Sequence, residues 1–107
     1  MPELPDVETT RRGLAPLLIG QTIADVVLRE RRLRWPVDPA LAERMHNQRV
    51  LSIGRRAKYL LVTTTAGTLL IHLGMSGNLR FLREPRAASK HDHFDFLFAS
   101  GARLRFN

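Results

Sequence analysis

The chain of 107 residues contains no cysteine. That excludes a disulfide framework and a cysteine-bound zinc site within these residues. No uncharged apolar run is long enough to span a bilayer as a helix. The opening Met1-Pro2-Glu3-Leu4-Pro5-Asp6 carries two acids and no basic segment, which argues against a secretory signal. Internal repeats and low-complexity linkers are missing too. An intracellular location fits these absences.

Acidic residues are also scarce. Seventeen Lys and Arg stand against ten Asp and Glu, a formal charge of +7. Such an excess favours polyanions, chiefly nucleic acid, because each neutralised phosphate releases counterions. A merely basic protein surface is the plain alternative. The hydrophobic share, 44%, suits a single small globular domain.

Periodicity predicts a helix from Pro5 to about Leu18. Asp6 and Glu8 lie near the positive end of its dipole, and Leu4, Val7, Leu14 and Leu18 form an apolar face. Pro16 threatens the last turn and Gly20 ends it. A second, short helix is expected to begin at Asp38-Pro39 and run through Leu41 and Met45. Strands are expected at 22–29, 49–56, 58–64, 68–73, 78–83, 93–99 and 102–106, with turns at Ala66-Gly67 and Ser100-Gly101. Phe94, Phe96 and Phe98 alternate on one face, opposite His93 and Asp95. The expected fold class is α+β: mainly an antiparallel β-sandwich of about eight strands, with an N-terminal helix and one short inserted helix. Asn107 directly follows strand-like residues, so the end is read as a boundary cut through a longer protein.

Chemistry is suggested first by the N-terminus. Removal of Met1, which a small second residue permits, would expose Pro2 as a secondary amine beside the carboxylate of Glu3. An α-amino group titrates at about 7.7–8.0 and lysine near about 10.4, so a terminal amine is far more often neutral and nucleophilic at pH 7. A secondary amine attacking a carbonyl-level carbon leaves a positively charged iminium, an electron sink for elimination next to it. Glu3 could move protons at the same centre. If Met1 stays attached, Pro2 is an amide and cannot react. His91 and His93, with Asp95, invite a metal reading, but no further soft ligand is nearby; a structural His93–Asp95 hydrogen bond is the favoured reading. The run Arg55-Arg56-Ala57-Lys58 would ordinarily be a solvated face. Met75, between Gly74 and Gly77, reads as core or turn filler, or as an exposed loop tip.

Several blocks then fall in order along the whole chain. They are Pro2-Glu3-Leu4-Pro5-Asp6-Val7-Glu8-Thr9 with Arg11-Arg12-Gly13, Leu33-Arg34-Trp35-Pro36, Arg55-Arg56-Ala57-Lys58-Tyr59-Leu60, Ile71-His72-Leu73-Gly74-Met75-Ser76-Gly77 and Lys90-His91-Asp92-His93. Together they resemble the formamidopyrimidine-DNA glycosylases, bacterial enzymes of base-excision repair that remove oxidised purines. The endonuclease VIII relatives share the opening but fit the later blocks less well.

The resemblance implies that residues 1–107 are the N-terminal catalytic domain of such an enzyme. It implies an N-glycosylase with abasic-site lyase activity, acting on double-stranded DNA containing 8-oxoguanine or formamidopyrimidines, in the bacterial cytoplasm at the nucleoid. Pro2 would be the nucleophile, Glu3 the acid/base group, and Lys58 a phosphate contact and proton-transfer group. His72 and His91 would contact the DNA backbone, and Met75 would fill the gap left by the flipped lesion. The family's single zinc belongs to a C-terminal finger outside this sequence, as do the helix-two-turn-helix region and an Asp-Pro-Arg-Arg-Phe-Gly segment. No cofactor, metal or membrane is therefore expected for this chain. Alone it would fold with little or no turnover. The competing reading is a basic β-rich nucleic-acid-binding module without catalysis. Oligomeric state stays open, an edge-strand dimer being one outcome.

Overall fold

The computed structural model describes residues 4–28, 40–72, 79–88 and 94–106. Helix α1 covers Leu4–Leu18 and α2 Leu41–Met45. The strands are β1 (Ile23–Leu28), β2 (Val50–Arg56), β3 (Tyr59–Thr64), β4 (Gly67–His72), β5 (Leu79–Leu82), β6 (Phe94–Phe98) and β7 (Arg103–Phe106). They form two antiparallel sheets, one ordered β1-β6-β7-β5 and the other β2-β3-β4. This is the expected α+β class with its N-terminal and short inserted helices. Seven strands lie among the described residues.

One core joins both sheets and both helices. Val7, Leu14 and Leu18 of α1 recur at helical spacing and share one buried cluster with Ile53, Leu60, Val62 and Ile71 of the three-stranded sheet and Phe96, Phe98 and Leu104 of the four-stranded one. Pro16 sits exposed inside α1, where the helix tolerates it through to Leu18. Gly20, at φ +92, then reverses the chain, and its N–H donates to Val50 O at 2.8 Å. The helix end is thereby tied to the start of β2.

Three boundaries differ from expectation. Helix α2 starts at Leu41, after Ala40, whose side chain provides no cap; Asp38-Pro39 lies outside the described residues. The β3–β4 turn is Thr65-Ala66 rather than Ala66-Gly67, because Thr64 pairs with Gly67. The buried Thr64 hydroxyl donates to Gly67 O at 2.8 Å and accepts from Ala66 N–H at 3.1 Å, closing the turn one residue early. The β2–β3 turn is Ala57-Lys58, between paired Arg56 and Tyr59, so Lys58 is a turn residue rather than the first of a strand.

On β6, Phe96 and Phe98 are buried at period two as expected, and Phe94 stacks on Phe106 at 5.1 Å. The opposite face is not open to water. Asp95 is fully buried and accepts from Arg105 Nε and Nη2, both at 2.9 Å; Arg105 Nη2 also donates to Arg86 O and Nη1 to Ala87 O. Arg103 adds a longer ion pair at 3.7 Å. Asp95 thus serves two arginines of β7, its register neighbour being Arg105. The expected partner His93 lies outside the described residues.

Candidate nucleic-acid interface

Of the residues singled out from sequence, Lys58 and His72 fall within the described segments; Pro2, Glu3, Met75 and His91 lie outside them. The sheet register brings the two described ones together. Tyr59 pairs with His72 across β3 and β4, and Lys58 directly precedes Tyr59. The Tyr59 and His72 rings stack at 4.6 Å with 29° between planes. Lys58 and His72 therefore share one end of the three-stranded sheet, the end formed by the β2–β3 turn.

That turn is held in an unusual shape. Ala57 has φ +53, a left-handed conformation that L-residues other than glycine and asparagine seldom adopt. Arg55 steadies it, donating from Nη1 to Ala57 O at 3.0 Å. The same guanidinium reaches across to α1, where its Nε donates to Glu8 Oε1 at 3.2 Å. Glu8 also accepts from Arg11 Nε at 2.9 Å and Nη2 at 2.7 Å, and from Arg12 Nε at 2.9 Å. One carboxylate thus anchors three guanidiniums, two from its own helix and one from β2.

The electrostatic result follows. Arg11, bonded most closely, holds the Glu8 carboxyl well below the usual carboxylate range; partial burial opposes this, and Arg12 and Arg55 add to it. In return Glu8 raises the already high value of Arg11. Among the described residues three cations meet one anion on this face, and Arg56 and Lys58 follow Arg55 closely in the chain. A positive, half-exposed surface beside a stacked aromatic pair suits phosphate oxygens, which lysine and arginine bind without reading sequence.

The Glu8 cluster was not foreseen from sequence, where Glu8 was read only as a helix-start acid. Its signal is nonetheless there, since Arg11 and Arg12 follow Glu8 at the three- and four-residue spacings that meet on a helix face. Arg55, by contrast, is 47 residues away and no local pattern announces it. For a metal the described residues offer no grouping of three or more His, Cys, Asp or Glu. Asp95, one of the proposed ligands, is engaged by Arg105 and Arg103.

This two-sheet α+β domain has counterparts among known proteins. The family model described as the formamidopyrimidine-DNA glycosylase N-terminal domain matches residues 1–107, and the chain belongs to that family. It is 57% identical over 106 residues to the formamidopyrimidine-DNA glycosylase of Pseudomonas paraeruginosa, covering 99% of this chain and 39% of that protein. With the enzyme of Hydrogenovibrio crunogenus it shares 56% identity over 107 residues, 38% of that protein's length. Among solved structures it resembles Lactococcus lactis Fpg (MutM) bound to DNA containing N7-benzyl-Fapy-dG, with TM-score 0.88, 32% identity and coverage of 98% and 39% of the two chains. The same enzyme in complex with abasic-site DNA gives TM-score 0.87 at 31% identity, with the same coverage. The chain thus spans about two fifths of the length of the relatives it matches.

Proposed function

We propose that this chain is the nucleophile-bearing part of a bifunctional base-excision glycosylase that removes oxidised purines from double-stranded DNA. After loss of Met1, Pro2 attacks the anomeric carbon of the damaged nucleoside, the base departs, and an iminium joins the protein to the sugar. Loss of a proton from the adjacent carbon then expels the phosphate, which is the abasic-site lyase step. Glu3 exchanges protons at the sugar; Lys58 and His72 bind the flanking phosphates, as does His91, and Met75 occupies the space vacated by the flipped nucleotide. The reading places the protein in the bacterial cytoplasm, at the nucleoid.

The observation that carries this reading is similarity over nearly the whole chain to an enzyme solved with Fapy-dG and abasic DNA. The convergence of Lys58 and His72 on one positive sheet end supports it. In the relatives three fifths of the protein lies beyond the matched part. The isolated chain is accordingly expected to bind DNA weakly, with steep salt dependence, and to turn over little.

Borohydride trapping tests the chemistry. Only an iminium is reduced to a stable covalent adduct, so the Met1-free chain should cross-link to abasic-site duplex at low salt, and acylation of its terminal nitrogen, which leaves an amide, should abolish that cross-link. Joined to the remaining length of a relative, the domain should excise 8-oxoguanine, and Glu3→Gln should abolish excision. Salt-sensitive binding with no adduct under either condition would instead establish a non-catalytic nucleic-acid module, the reading favoured by charge alone.

A further inference from the structure

The Glu8 cluster does more than add charge to a surface. Its bonds to Arg11 and Arg12 join α1 only to itself, being three and four residues apart. The bond to Arg55 is different in kind, because it crosses from α1 to β2. Arg55 then donates onward to Ala57 O, the carbonyl immediately before Lys58. Arg11 makes a second crossing, a long 3.5 Å contact from Nη1 to Ile53 O. A continuous polar path thus runs from the second turn of α1 to the corner residue that precedes the lysine. Both ends of the Glu8–Arg55 pair are only partly open to water, at 25% and 32% side-chain exposure. Burial of this degree shields a pair from full solvent screening.

Chain connectivity gives the path its meaning. α1 begins at Leu4, and Glu3 and Pro2 are joined to Leu4 through one and two peptide units. Whatever fixes the first turns of α1 also limits where a nucleophile at residue 2 can stand. Whatever fixes Ala57 sets where Lys58 projects. We propose that Glu8 is a positioning residue: through Arg55 and Ala57 it sets the amino-terminal end of α1 against Lys58, so that nitrogen nucleophile and lysine meet one sugar-phosphate unit together. The role assigned to Glu8 is exerted through its arginine partners. The inference rests on the Schiff-base reading above for its functional part, whereas the mechanical part stands on the hydrogen bonds alone.

Two measurements on the Met1-free chain test it. The first is borohydride trapping on abasic-site duplex, which needs one event per molecule rather than turnover. Glu8→Gln should slow trapping by about tenfold to a hundredfold, the loss that a displacement of about 1 Å produces in a reacting pair. Glu8→Gln in a Lys58→Gln background should add little, since the partner to be aligned is gone. Unchanged trapping in Glu8→Gln, or full additivity with Lys58→Gln, overturns the proposal. The second is amide hydrogen exchange. Glu8→Gln and Arg55→Lys should each speed exchange at Lys58 and Tyr59 while leaving β6 and β7 as protected as before. Equal protection at the turn in every variant refutes the mechanical link. Failure of the unaltered chain to trap removes the Schiff-base reading, and the exchange arm still decides whether Glu8 pins the turn.

Discussion

In the four-stranded sheet the carboxylate of Asp95 is sealed from solvent and grips Arg105 through two bonds of 2.9 Å, whereas Glu8, facing the three-stranded sheet, is a quarter exposed and divided among three arginines. Both are acidic residues serving arginines, yet the surroundings give them opposite tasks. Asp95 answers charges on the strand beside its own and reaches, through Arg105, the carbonyls of residues 86 and 87. Its bonds hold the sheet and the segment after β5 together. Glu8 bridges a helix and a turn at the positive end of the molecule. A sealed pair stabilises or breaks as a unit; a half-open one can be adjusted by pH, salt or a bound phosphate.

The largest expected effect lies on the sealed side. Asp95→Ala leaves the buried guanidinium of Arg105 without its counter-charge, which should cost about 3–5 kcal/mol. Urea unfolding reads this directly; a loss no larger than that of an average surface substitution would put the two carboxylates in one class. Next comes Lys58→Gln on the open side. If Lys58 meets one phosphate, the slope of log binding constant against log salt should fall by about 0.9 in titrations of duplex DNA, with affinity reduced evenly across sequences. An unchanged slope would take Lys58 out of the interface.

The pH response separates the two regions further. The folded-state value of Glu8 is depressed, so its stabilising contribution is complete above the ordinary glutamate range, about 4.3–4.5, and disappears as pH falls toward the lower folded value. Urea midpoints measured from pH 6 down to pH 2 should therefore decline below about 4.5, and Glu8→Gln should make that decline shallower. Identical pH profiles in the two proteins would mean that the arginines do not hold Glu8 ionised. The smallest effect is expected at the turn itself. Ala57→Gly relieves the left-handed strain at φ +53 while loosening the unfolded chain, for a net gain below about 1 kcal/mol. A destabilised Ala57→Gly variant would show that the turn depends on the alanine methyl.

Much of this architecture could be read from residue order. Alternation at Phe94, Phe96 and Phe98 located β6, and the spacing of Val7, Leu14 and Leu18 located the buried face of α1, because both patterns follow from the geometry of a single element. Turn positions slipped by a residue where side chains intervened. The Thr64 hydroxyl closed its hairpin early, and Arg55 held Ala57 in a conformation for which propensity gives no reason. The bond of Asp95 to Arg105 went unread because it depends on the pairing of β6 with β7, a relation between strands. The same holds for Glu8 and Arg55. Lys58 and His72 were legible as candidates through the family's blocks, and their neighbourhood follows from the register of β3 with β4. For Pro2, Glu3, Met75 and His91 the case is the resemblance and the chemistry of their side chains.

Strand order has a consequence for how the domain is made. β7 is the last of the described strands, but it lies inside its sheet, between β6 and β5. β5, although synthesised earlier, has β7 as its one strand partner among the described residues. On the ribosome, then, the four-stranded layer cannot close when β5 emerges; it must wait until Arg103–Phe106 clears the exit tunnel. The β2-β3-β4 layer, whose strands are consecutive, has no such delay, so the half of the molecule carrying Lys58 and His72 can assemble first and serve as the surface on which the rest docks.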